Sequence, residues 1–257
     1  MSFTIENLEY YLLVLVRMSA FVMAAPFFGY RSIPNRVKAA ISVWLSIVVI
    51  YTVPAVPLDY EGVLGFSVLI LKEMIIGIVL GLMCNLCFYI VSFAGQIMDM
   101  EMGLSMANMY DPTTNIQVTV TGNIYNYFLM LMLVVTNMHY YIIRAITDSF
   151  SYFNIGEAII RTDVLKNIMV DFMANYFLIA VRIVLPVFCC MLLINVILGV
   201  LTKAAPQMNM FAVGIQIKVI VGIVLLIILV QTLPTVSDFI FQEMKEVITD
   251  VIHAFTP

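Results

Sequence analysis

The stretch MIIGIVLGLMCNLCFYIVSFAGQI, residues 74–97, runs for 24 positions without a charged residue, and its reading decides the fold class. A helix needs about 20 predominantly apolar residues to cross the hydrocarbon core of a bilayer, where each backbone polar group must find its partner inside the segment. The run therefore predicts a membrane-spanning α-helix, long enough to span with some tilt. Just before it, the adjacent Lys72 and Glu73 interrupt an apolar region that starts at Val63. Inside it, Gly77 and Gly81 make a G-x-x-x-G step that admits another backbone at close range, either within the chain or from a partner.

The rest of the chain belongs to the same class. Hydrophobic residues make up 63% of it and charged residues 11%, with a mean hydropathy of +1.06, far outside soluble usage. A length of 257 residues leaves room for several spans, and the reading is one all-α domain over residues 1–257, a polytopic membrane-protein helical bundle. The net charge of -4 withholds the basic footprint that nucleic-acid binding needs. At the start, MSFTIENLEY sets Glu6 and Glu9 where a cleavable signal peptide carries positive charge, so the N-terminus is expected to be retained. Cys84 and Cys87 form a C-x-x-C in one apolar stretch, and Cys189 and Cys190 are adjacent in another. Packing is the expected use, since free Cys behaves as a small buried hydrophobe; redox chemistry wants an electropositive, partly exposed setting.

Punctuation along the chain predicts the remaining elements. Leu8 to Phe28 reads as a helix carrying Arg17 and ending at Pro26. Pro34, suited to a first helical position, opens a helix from about Val37 to Val53, which Pro54 and Pro57 stop. Periodicity is lost from Met98 to Asn123, a loop with Asp111-Pro112 and Gly122, and an apolar helix from Ile124 to Ile143 follows. Phe172 to Leu201 is apolar except for Arg182, with Pro186 able to kink it, and Phe211 to Leu233 is apolar except for Lys218. Ile240, Met244, Val247, Ile248, Val251, Ile252 and Phe255 then recur at helical spacing, an amphipathic C-terminal helix over about 236–256. Its acidic face, Glu243, Glu246 and Asp250 against Lys245, suits a protein partner better than an anionic membrane surface. Threading six spans in alternation puts Arg31, Arg36, Lys38 and Lys203 on one side and Arg144, Arg161, Lys166 and Lys245 on the other. The positive-inside rule then returns no orientation: either the span count is wrong or the helices do not cross as simple independent spans, the second being the favoured reading.

Catalysis has little to rest on. His139 and His253 lie in no metal spacing and near no nucleophile motif, and phosphate-loop and dinucleotide signatures are absent. No active site, metal site or cofactor is assigned. The embedded charges Arg17, Lys72, Glu73, Arg182 and Lys218 raise the question of an ion or proton relay, because a charge at bilayer depth costs roughly 2.5–3.5 kcal/mol on insertion scales. Relays rest on carboxylates or histidines, and only Glu73 qualifies, while arginine stays protonated. Pairing with carboxylates, backbone carbonyls or partner chains is the expected use; transport chemistry and snorkelling at the lipid edge are the alternatives. Met98, Met100, Met102, Met106 and Met109 supply flexible side chains that refill a gap or simply pack.

Several stretches together resemble FliR, a membrane component of the bacterial flagellar protein-export gate. They are RMSAFVMAAPFFG from Arg17 to Gly29, IPNRVK from Ile33 to Lys38, KEMIIGIVLG from Lys72 to Gly81 and AGQIMDMEMGL from Ala94 to Leu104. Asp111-Pro112 and AAPQMNMFAVGIQIK, Ala204 to Lys218, complete the series, in order over nearly the whole chain. The resemblance implies an inner-membrane subunit of the flagellar basal body, one copy closing a helical assembly of FliP and FliQ chains with FlhB associated. The assembly would surround a pore for unfolded flagellar substrate proteins, lifted partly out of the membrane plane. It also implies a pore plug at about Met106 to Gly122, so Met106, Met109, Tyr110, Asp111, Pro112, Ile116, Val118, Val120 and Gly122 become candidate plug residues. The segment departs from the family in being polar and Thr-rich after Pro112. Injectisome export-gate subunits share the plan, although the Ala204 to Lys218 wording looks flagellar. The rival class, a stand-alone secondary transporter, predicts paired broken helices in two related halves, and no internal repeat supports it.

Overall fold

The computed structural model describes residues 5–29, 33–53, 58, 60, 62–105, 119–205 and 210–256. Among these the chain forms eight α-helices and no strand: α1 (Ile5–Ala24), α2 (Asn35–Thr52), α3 (Gly62–Met102), α4 (Val120–Val135), α5 (Met138–Tyr152), α6 (Thr162–Ala204), α7 (Met210–Leu229) and α8 (Leu233–Phe255). A 3-10 turn, Val230–Thr232, joins α7 to α8. Three helical stretches of the described residues are long and apolar enough to cross a membrane, Gly62–Met102, Thr162–Ala204 and Val213–Phe255, or four if α4 and α5 count as one bent span. The fold class read from composition stands, whereas the six-span threading divides the chain in the wrong places.

Local chemistry explains where the divisions fall. Lys72 and Glu73 do not end α3, and Pro186 does not end α6, which continue for 41 and 43 residues. At 1.5 Å per residue each is about 60 Å long, twice the roughly 30 Å hydrocarbon core. The apolar run read as one helix from Ile124 to Ile143 breaks at Asn137, whose left-handed backbone (φ 59°) separates α4 from α5 at a bend of 71°. Asn visits that region more readily than other non-glycine residues, and no Gly or Pro marked the site. Pro34 caps α2 rather than entering it, and its carbonyl accepts the Val37 and Lys38 amides. Val53 is extended, the conformation that a following proline imposes. Arg31, Pro54 and Pro57 lie outside the described residues.

The described chain divides into two compact units, residues 1–87, 133–172 and 241–257, and residues 88–132 and 173–240. In the first, Leu13, Val14, Met18, Phe21 and Val22 of α1 are buried, as are Ile76, Leu80, Cys84 and Cys87 of α3 and Ile142, Ile146 and Phe150 of α5. On α8, Met244, Val247, Ile248, Val251 and Phe255 are buried while Lys245, Glu246 and Asp250 are exposed. The G-x-x-x-G step of α3 faces α1 of the same chain: a Cβ on Gly77 would lie 2.3 Å from the Arg17 carbonyl oxygen, and one on Gly81 2.8 Å from Ala24 Cβ. Helix α2 has a mixed inner face. It buries Leu45 and Val49 together with Lys38, Ser42 and Ser46, the two serine hydroxyls donating to the Lys38 and Ser42 carbonyls, and exposes Val43, Trp44, Ile47 and Val48.

In the second unit, Met102 packs onto Gly222 of α7, Tyr176 of α6 donates its hydroxyl to the Tyr89 carbonyl at 3.0 Å, and Phe93 packs edge-on against Phe177. Of the most apolar 18-residue window, 22% is buried for Thr162–Ala204 and 11% for Val213–Phe255, against 56% for α3. Most of the apolar surface of α6 and α7 thus awaits lipid or protein.

Candidate functional site: a sealed ion pair and a clamped helical hairpin

In the first unit, α1 and α3 bring together two charges that lie 56 residues apart in the sequence. Arg17 and Glu73 are both fully buried, with Arg17 Nε 2.5 Å from Glu73 Oε2. Close approach at Gly77 allows it, because any side chain there would push α1 away. The third element, α5, contributes Ser149, whose Oγ accepts from Arg17 Nη1 at 3.3 Å, and Phe150, whose ring centroid lies 4.0 Å from the guanidinium carbon. Phe153 covers the guanidinium at 4.7 Å. The second carboxylate oxygen of Glu73 accepts the Gly156 amide at 3.1 Å, and Gly156 holds φ +86°, which a side chain would strain. Both oxygens of Glu73 are therefore engaged, and its partner is a permanent cation. The cluster ties α1, α3 and α5 together through buried, mutually engaged groups.

The second unit contains a polar seam between α3 and α4. Asp99, 2% exposed, accepts the Thr121 amide through both carboxylate oxygens, at 3.2 and 3.3 Å, and a short hydrogen bond from the Thr121 hydroxyl. One turn back along α3, a Cβ on Gly95 would lie 2.3 Å from Gly122 Cα, so the two backbones touch. Another turn back, Asn126 Nδ2 donates to Ser92 Oγ at 2.6 Å. The pairing order, 99 with 121, 95 with 122 and 92 with 126, is that of an antiparallel helical hairpin.

The chain matches the family of bacterial export proteins, family 1, over residues 8–244. It is 31% identical to the flagellar biosynthetic protein FliR of Pectobacterium carotovorum over 92% of this chain and 90% of that protein. Identity to the FliR of Bacillus subtilis is 28% over 98% of each, and to that of Escherichia coli 28% over 95% and 93%. The chain belongs to this export family. It is a flagellar export-gate subunit of the inner membrane, a transport component rather than an enzyme, and works with other components of the export apparatus.

Against that membership, the residues singled out by sequence separate clearly. Of the five embedded charges only Arg17 and Glu73 meet; Lys72 and Lys218 are half-buried and Arg182 is exposed, and none of these three forms an ion pair among the described residues. A five-member relay is not assembled in this chain. Of the first-turn cations of α2, Arg36 is exposed and Lys38 is buried with Nζ 2.9 Å from the Gly29 carbonyl oxygen. His139 stacks on Tyr140 at 4.1 Å, and no metal-binding group of three ligands occurs among the described residues. Cys84 and Cys87 are buried free thiols, as packing residues are, while Cys189 is exposed. The candidate plug residues Met106, Met109, Tyr110, Asp111, Pro112, Ile116 and Val118 lie outside the described residues. Val120 and Gly122, read as loop, form the first turn of α4, and Met98 to Met102, also read as loop, remain in α3. Helix persists there as Asp99 satisfies the Thr121 amide at the start of α4 and Gly95 packs α3 against Gly122. Asp99, Thr121, Gly95 and Ser149 were missed; the available signal was the first carboxylate after an uncharged apolar run.

Proposed function

We propose that this subunit forms part of the wall of the flagellar export conduit, docked against FliP and FliQ and associated with FlhB, with the segment from Met106 to Gly122 serving as plug. Unfolded flagellar proteins pass through the pore, and the energy is supplied elsewhere in the apparatus. The observation that carries the docking is Arg182. It lies 20 residues after the start of α6 and 22 before its end, exposed, with exposed Leu178 and Leu185 on the same helical face. A guanidinium in the middle of an apolar outward face meets either a partner's acceptor or a steep insertion cost. A neighbouring subunit that places a carboxylate or free carbonyls at that depth satisfies it.

Two measurements test the reading. Arg182→Glu, co-expressed with the other export components, is expected to lower recovery of the assembled complex by native mass spectrometry about tenfold or more, because like charges juxtaposed in an interface cost several kcal/mol. Arg182→Leu retains part of it, and wild-type assembly of Arg182→Glu removes the docking surface. Deleting residues 106–118, which spares α4, is expected to make the assembled complex conduct small ions. Unchanged conductance with normal assembly removes the plug.

A further inference from the structure

We propose that Asp99 is the positioning residue of the α3–α4 hairpin, a clamp that α3 supplies to the N-terminus of α4 and that fixes where the chain re-enters helix after residue 119. The first amides of a helix have no intrahelical partner and concentrate the positive end of its dipole. In α4, local capping comes from Thr119, whose carbonyl accepts the Asn123 amide. The Thr121 amide and hydroxyl turn instead to Asp99, 22 residues away on another helix. A hairpin held by packing alone would place an apolar residue at position 99, since Gly95 and Gly122 already bring the backbones into contact. A carboxylate buried in a membrane-length apolar helix is costly, and here its hydrogen-bond partners among the described residues belong to the first turn of α4. Its oxygens face the unsatisfied amides at the positive end of the α4 dipole. The C-terminal part of α3 and the N-terminus of α4 are thereby held together in the second unit, which matters for export through the plug reading on which this consequence rests.

The test uses the purified export-gate complex containing the full chain. Asp99→Ala is expected to accelerate deuterium exchange of the peptide covering residues 119–124 about tenfold, the scale of a lost helix cap, and to raise ion conductance through the complex. Thr121→Val, which keeps the amide and loses the hydroxyl, gives an intermediate acceleration, and Thr121→Ser restores wild-type exchange. Unchanged exchange in Asp99→Ala overturns the clamp. Faster exchange with unchanged conductance leaves the clamp standing and removes the plug instead. Should Asp99→Ala fail to assemble, the comparison of Thr121→Val with Thr121→Ser decides, and equal exchange in those two overturns the proposal.

Discussion

Replacing Glu73 by leucine is expected to destabilise the protein by roughly 3–5 kcal/mol, while the double replacement Arg17→Met, Glu73→Leu recovers most of that loss. The asymmetry follows from the geometry. With Glu73 gone, a guanidinium with no exposed surface keeps Ser149 and the faces of Phe150 and Phe153 but no carboxylate, and one of its nitrogens, Nη2, already lacks a hydrogen-bond partner among the described residues. Removing both charges leaves a pocket walled by Phe150 and Phe153 that accepts apolar side chains. The measurement is a double-mutant cycle on thermal unfolding of the detergent-solubilised complex, with recovery on native gels as a second readout. Single and double mutants of equal stability would show that the pair does not hold α1, α3 and α5 together. The double mutant also separates structure from transport chemistry: once assembled, it is expected to export normally, whereas an assembled but inactive double mutant would assign the pair a role in proton movement.

Gly77→Val is expected to disrupt the first unit, at or above the upper end of the roughly 1–3 kcal/mol typical of overpacking. The new Cβ would meet the Arg17 carbonyl oxygen at 2.3 Å, Ala20 Cβ at 2.9 Å and the Phe21 amide nitrogen at 3.1 Å. Two of those three atoms are backbone, so no rotamer change relieves the contact, and separating α1 from α3 also stretches the buried ion pair. Gly199→Ala is the matched control. Nothing lies within 4 Å of the Cβ it would add, and in a helix interior alanine is favoured over glycine by roughly 0.5–1 kcal/mol. Circular-dichroism melts and assembly yield measured side by side give the comparison. A tolerated Gly77→Val would mean that α1 and α3 do not meet there, and a Gly199→Ala that folds but fails to assemble would place a partner helix on that face of α6.

The contrast between these glycines shows where sequence reading stops. Gly77 and Gly81 announced a close helix contact, but the G-x-x-x-G spacing is the same whether the approaching backbone is α1 or another subunit, and only the folded chain puts Arg17, Ala20 and Ala24 against it. The same holds for the charges: Arg17, Lys72, Glu73, Arg182 and Lys218 looked equivalent as interruptions of apolar runs, yet one pair is sealed, two are half-buried and one faces outward. Asp99 is the converse case. It was read as the edge of a loop because its one strong partner, Thr121, lies 22 residues on, beyond any local periodicity.

What the amino-acid sequence determined by itself was the solvent and the family. An uncharged run of 24 residues, an apolar composition and an ordered series of matching stretches fix an all-α export-gate subunit of the membrane, because backbone hydrogen bonding in lipid leaves a chain of this kind little alternative to helix. Apart from α8, whose buried face the sequence periodicity marks, tertiary structure alone decided which side of a helix is inside. When nearly every position is apolar, the polar-apolar contrast that marks the buried face of a soluble helix is gone. The inside is then chosen by side-chain volume and by the few polar groups that must find one another across long stretches of chain: Gly77 against Arg17, Glu73 against Gly156, Asp99 against Thr121.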